Sequence, residues 1–201
     1  MDLSIVLKGQ TRDLVLKNPI LTASGTFGYG VEFRNFGDLA SLGGIVVKGL
    51  SLKPRRGNPV PRIYETASGM LNSIGLQNDG VESFLQTKLP ALPRRETAII
   101  ANMYASSTEE FGRLAKILND AEGVAALEIN VSCPNVQAGG SIFGGDPTLC
   151  AKVTEAVRKN APDKHIIVKL SPNVTDITAI GKAAEEAGAD SVSAINTLLG
   201  M

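Results

Sequence analysis

The sequence predicts an α/β fold on a parallel sheet, of the (β/α)-barrel kind, and three observations carry that expectation. Apolar runs of strand length alternate with longer segments of helical periodicity. Runs such as Gly44-Ile45-Val46-Val47 and Ile166-Ile167-Val168 are apolar throughout rather than alternating, the pattern of parallel strands covered on both faces. Five successive runs end in a lysine or an asparagine, as expected where the C-terminal ends of barrel strands build one site. The first two observations alone admit an open doubly wound sheet as well as a barrel.

Taken in order, residues 3–8 and 13–18 flank Gly9-Gln10-Thr11-Arg12 and read as an N-terminal hairpin. Strands follow near 19–23, 44–48, 98–102, 126–131, 165–170 and 191–195. Thr108-Glu109-Glu110 opens a helix reaching Asp120, with Phe111, Leu114, Ala115 and Leu118 on one face. Asp146-Pro147 opens a second, which turns Leu149, Cys150, Val153 and Val157 inward and ends in Arg158-Lys159. A third begins near Asp176 and stops before Gly188. Residues 50–97 form an excursion too long for an ordinary connection, which points to function. Its basic, Pro-rich start, Lys53 to Pro59, reads as a solvated loop. Eight strands and typically about 250 residues make a complete barrel. The expectation is therefore one barrel domain over residues 1–201 that lacks its last two βα units.

Composition narrows the function classes. Lys+Arg and Asp+Glu balance at 20 each, so no charge excess argues for nucleic acid or an anionic membrane as partner. The start carries no secretory pattern, and no apolar run approaches the roughly 18 residues of a membrane span. Two cysteines make neither a disulfide framework nor a metal knuckle, and a reducing cytoplasm fits best.

The strand ends carry the chemistry. They are Lys48-Gly49, Asn102, Asn130, Lys169 and Asn196-Thr197. Any one asparagine could be a turn residue, whereas five polar ends in register would surround a single cavity. Lys48 and Lys169 follow wholly apolar runs, where an ammonium is rarely tolerated unpaired. With few carboxylates at the other strand ends, a bound anion is the expected partner: a phosphate, an electron-rich ring or a substrate carboxylate. Cys133, three residues past Asn130 in a glycine-rich loop, could face that cavity as a base, since an ordinary thiol has a pKa of about 8.5. Cys150 reads as core, and His165, the only histidine, sits at the opposite end of its strand. That leaves no serine–histidine pair and no zinc ligand set. In the excursion, Ser68 to Asn78 offers small residues and amides that could lie against a planar polar ring.

In this order the segments resemble the catalytic subunit of dihydroorotate dehydrogenase of class 1, which uses a cysteine base. The matching pieces are Thr22-Ala23-Ser24-Gly25, Val47-Lys48-Gly49-Leu50, Asn72 to Asn78, Asn130-Val131-Ser132-Cys133-Pro134-Asn135-Val136, Val168 to Asn173, and Ile195-Asn196-Thr197. The run from Gly139-Gly140 to Asp146-Pro147 is similar to the NAD-linked subclass, 1B. The resemblance implies oxidation of dihydroorotate to orotate in de novo pyrimidine biosynthesis. Cys133 would take the proton from C5, and hydride would pass from C6 to FMN. Lys48 would touch both flavin and substrate; Asn72, Ser73, Ile74, Gly75, Leu76, Asn130, Asn196 and Thr197 would hold the substrate. Ser24, Lys48, Gly49, Asn102, Asn130, Lys169 and Ile195 would bind FMN, and no metal is expected. The resemblance further implies a homodimer at the core of a heterotetramer, whose electron-transfer subunit carries FAD and a 2Fe–2S cluster. Such a cluster normally needs four cysteines, and this chain has two.

Rival readings are an aldolase-type barrel with Lys169 as a Schiff-base lysine, a flavin barrel like that of dihydropyrimidine dehydrogenase, and a non-catalytic barrel fragment. A fragment would be expected to retain FMN weakly and to expose an apolar barrel edge.

Overall fold

A computed structural model describes residues 1–132, 134–135 and 141–200. The chain opens with an antiparallel hairpin, β1 (Ile5–Leu7) and β2 (Leu14–Leu16). β3 (Gly44–Val46) follows, then the excursion. It holds an exposed hairpin, β4 (Ile63–Thr66) with β5 (Gly69–Asn72), and a helical turn, α1 (Gly80–Ser83), that runs on as a π turn and a 3-10 turn. Beyond it come β6 (Ala98–Met103), α2 (Thr108–Asn119), β7 (Ala126–Asn130), and a small pair, β8 (Pro134–Asn135) with β9 (Ser141–Ile142). The chain continues through α3 (Pro147–Asn160), β10 (His165–Lys169), α4 (Ile177–Glu186) and β11 (Ser191–Ser193).

Five strands form one parallel sheet in the order β11-β10-β7-β6-β3, with α2, α3 and α4 as the crossovers. The curled sheet is that of a partial α/β barrel. Side chains alternate across each strand, and here the alternation separates two apolar clusters. Ile45, Ile99, Leu127, Ile129, Ile166 and Val168 face outward onto Phe111, Leu114 and Leu118 of α2, Val153 and Val157 of α3, and Ile180 of α4. Val46, Ile100, Ala126 and Ile167 face inward and meet Leu14 and Leu16 of the N-terminal hairpin, which closes the barrel floor. His165 belongs to that floor: its Nδ1 contacts the Arg12 carbonyl at 3.0 Å and its Nε2 the Ser191 hydroxyl at 2.8 Å. Strands apolar throughout are therefore buried twice, against helices and against the floor.

The helices begin where the sequence places them, and each start has a cap. Ser107 Oγ accepts from the Glu110 N–H at 3.2 Å, Asp146 Oδ1 from Leu149 at 2.9 Å, and Asp176 Oδ1 from Thr178 at 2.8 Å. Hydrogen bonding to the charged form holds the Asp176 carboxyl below the usual carboxylate range, through the Thr178 side chain first.

The first predicted strand is a correction. Over residues 19–23 only Leu21 pairs, in a single parallel bridge to Gly44. Pro19 brings no N–H, and the Asn18 side chain turns back to accept from Ile20 at 3.1 Å, so no ladder propagates. β3 also ends at Val46, two residues early, because the Lys48 N–H leaves the ladder to bond the Gly28 carbonyl at 2.8 Å. β11 stops at Ser193 rather than near 195, and forms one edge of the sheet with Val192 half exposed. The basic stretch at the start of the excursion is exposed, as expected of a loop. Among the described residues no helix is long and apolar enough to cross a membrane.

Two outcomes follow from this packing. Phe111 is fully buried and meets Phe143 edge-on at 5.6 Å, so Phe111→Ala should cost about 3–5 kcal/mol in urea-induced unfolding. Burial pushes the Cys150 thiol up to about 11, partly offset by a hydrogen bond with Thr154. Near pH 8 about one such thiol in a thousand is ionised. A Cys133→Ser variant, with Cys150 as its one remaining cysteine, should therefore resist a disulfide thiol reagent when folded and react fully in guanidinium.

Candidate functional site

Two residues beyond the apolar floor, the same inward parity turns polar. Val46 leads to Lys48, Ile100 to Asn102, Ala126 to Glu128 and Asn130, Ile167 to Lys169. Ladder register sets these groups side by side: Asn102 opposite Glu128, Asn130 opposite Lys169, and Lys169 opposite Ser193. Above them opens a cavity of about 450 Å³, within the usual range for small-molecule sites.

The cavity gathers nearly every site residue expected from the sequence. Ser24, Lys48, Gly49, Asn102, Asn130 and Lys169 line its barrel side, with Asn196 and Thr197 just past β11. The excursion supplies the facing wall through Asn72, Ser73, Ile74, Gly75 and Leu76. Ile195 is not among the lining residues and is 48% exposed. Cys133 lies outside the described residues.

Charge sets the character of this space. Among the described residues neither Lys48 nor Lys169 has a carboxylate within 4.0 Å, so both ammonium groups remain available to an anionic or electron-rich ligand. The amides are held by each other and by the backbone. Asn196 Nδ2 donates to Asn130 Oδ1 at 2.9 Å, and the same oxygen accepts from the Ser132 N–H at 3.1 Å. Gly49 has a steric reason. A Cβ there would come within 3.1 Å of Asn102 Oδ1 and 3.2 Å of the Tyr104 ring.

The excursion reaches the cavity because one buried network anchors it. Asn78 Nδ2 donates to the Tyr104 hydroxyl at 2.8 Å, and that hydroxyl donates to the Leu76 carbonyl at 3.0 Å. Ser51 Oγ joins through Asn78 Oδ1 at 3.2 Å. The network holds Leu76 at φ 58°, a left-handed conformation uncommon outside glycine, directly after Gly75 at φ 75°. That reversal turns residues 72–76 over the strand ends.

Tyr104 and Glu128 were not singled out from the sequence, although a signal for both was present. Tyr104 shares the parity of Asn102, and Glu128 that of Asn130, so period two alone puts them on the inner face. No group of three or more His, Cys, Asp or Glu side chains suited to a metal occurs among the described residues.

Comparison with known proteins agrees with this geometry. The family model described as "Dihydroorotate dehydrogenase" matches residues 6–201. Over its full length the chain is 65% identical to the dihydroorotate dehydrogenase B (NAD(+)) catalytic subunit of Maridesulfovibrio salexigens, and spans 65% of that protein. It is 63% identical to the protein of the same name from Solidesulfovibrio magneticus, of which it spans 64%. A crystal structure of DHODH from Eimeria tenella in complex with ferulenol superposes with a TM-score of 0.72 at 20% identity, over 97% of this chain and 60% of that one, and supports the barrel fold. Fold, cavity and sequence agree, and the chain belongs to the dihydroorotate dehydrogenase family.

Proposed function

We propose that this chain forms the flavin- and substrate-holding barrel of an enzyme that oxidises dihydroorotate to orotate in de novo pyrimidine biosynthesis, with FMN as its cofactor. The observation that carries the reading is the convergence of Lys48, Lys169, Asn102, Asn130, Asn196 and the 72–76 segment on one cavity. Their chemistry fits a flavin ring. Two ammonium groups with no carboxylate partner among the described residues suit an electron-rich ring, the amides match a polar edge, and glycine at 49 keeps the wall shallow. When bound, FMN would supply the acceptor for the hydride lost from C6 of the substrate.

The chain's own residues bind, orient and move the proton. Cys133 is the general base at C5, a role typically worth about 10²–10⁴-fold. Lys48 would touch both flavin and substrate, while Ser24, Gly49, Asn102, Asn130, Lys169 and Ile195 would serve the flavin. Asn130, Asn196, Thr197 and residues 72–76 would hold the pyrimidine and its carboxylate. Electrons leave through a second subunit carrying FAD and a 2Fe–2S cluster, with NAD as final acceptor and a homodimer of this chain at the core, in the cytoplasm. The relatives' description as catalytic subunits supports a separate electron-transfer subunit.

The test is an absorption spectrum of the purified, FMN-supplied protein before and after anaerobic addition of dihydroorotate. Flavin bands that bleach are expected; no flavin uptake at all would overturn the reading. Cys133→Ala should keep the flavin bands and slow bleaching by at least about a hundredfold. Lys48→Met, which keeps the aliphatic stem, should weaken orotate binding about ten- to a hundredfold, read from the orotate-induced shift of the flavin spectrum.

A further inference from the structure

We propose that Glu128 is a positioning residue that holds the Asn102 amide nitrogen and so turns Asn102 Oδ1, an acceptor, to the cavity, so that the ligand edge docking on it carries an N–H. Glu128 is buried, 5% exposed, and does not line the cavity itself. Its Oε2 lies 2.6 Å from Asn102 Nδ2, and its Oε1 accepts from Ser193 Oγ at 2.8 Å. Among the described residues no cation lies within 4.0 Å of it, so two neutral donors from β6 and β11 satisfy this carboxylate. A carboxylate only accepts, and this fixes the amide. Rotating Asn102 by half a turn would set Oδ1 against Oε2, acceptor against acceptor. The nitrogen is thus held inward, and Oδ1 stands on the cavity side, against Gly49.

The acid matters here, beyond its length. Glutamine at 128 could accept from Asn102 and donate to Ser193, or do the reverse, because a hydroxyl serves in either role. Both arrangements would be satisfied and Asn102 would lose its single orientation. The identity of the ligand rests on the flavin reading, since flavins and dihydroorotate both carry ring N–H groups; the clamp does not.

A double-mutant cycle on the chain decides it, with thermal unfolding followed without ligand and riboflavin binding read by fluorescence quenching. Asn102→Asp sets two carboxylates together and should lower both the unfolding temperature and the riboflavin affinity, the latter about tenfold or more. Glu128→Gln alone should cost about twofold in affinity, the loss expected when two orientations become equal. The double variant E128Q/N102D, in which glutamine donates inward and an acceptor again meets the cavity, should recover both readouts, with affinity within about threefold of the parent. Additive losses would overturn the proposal, and so would recovery of stability without recovery of affinity. A parent chain that bound no riboflavin would sink the flavin reading instead. The unfolding cycle would still decide the clamp, rescue sustaining it and additivity refuting it.

Discussion

Two ammonium groups held at a barrel mouth with no carboxylate in ion-pair range among the described residues are the constraint around which the rest of this site is arranged. Burying an unpaired charge is costly, and a nearby acid would normally relieve it. Glu128 sits in the same polar layer, yet its oxygens are taken by Asn102 and Ser193. The carboxylate is thus stabilised by neutral dipoles, and Lys48 and Lys169 keep their charge for what enters the cavity. Had either lysine closed on Glu128, the positive field over the strand ends would be largely spent inside the protein. The floor makes this tolerable: Leu14 and Leu16 seal the lower end, so the polar layer meets solvent on the cavity side.

The barrel was legible in the sequence where residues answer to two surroundings at once. β6, β7 and β10 are covered by helices on one face and by floor or cavity on the other, and their bounds fall within a residue of expectation. Helix starts were legible because Asp146 and Asp176 are capping side chains ahead of apolar periodicity. The first strand was not, because an apolar run reveals burial and not the local competition from Pro19 and Asn18. The β4–β5 hairpin was also hidden. All eight of its residues are exposed, so no face left a periodic mark.

The site divides in the same way. Polar residues at strand ends announce themselves because they interrupt apolar runs, and Lys48, Asn102, Asn130 and Lys169 do converge. Residues that act from within a run are quieter. Glu128 lies between Leu127 and Ile129, and Tyr104 passes for one more apolar residue until its hydroxyl is seen to carry the Leu76 carbonyl. Reading each strand as two interleaved lists, odd and even, would have exposed both. Ile195, taken from the resemblance and not from parity, lies outside the cavity lining.

That interleaving bears on how such a chain can change over time. Replacing one residue in β7 alters one wall position, whereas adding or deleting one shifts every later residue to the other face. In β7 such a slip would turn Leu127 and Ile129 toward the ligand and press Glu128 and Asn130 into the helices. The β4–β5 hairpin carries no such phase, because all eight of its residues are exposed. Length variation should therefore collect in the β4–β5 hairpin, while the inner strands drift by exchange alone, which leaves the end of the cavity wall at Asn72 the freest part of the site to acquire a new specificity.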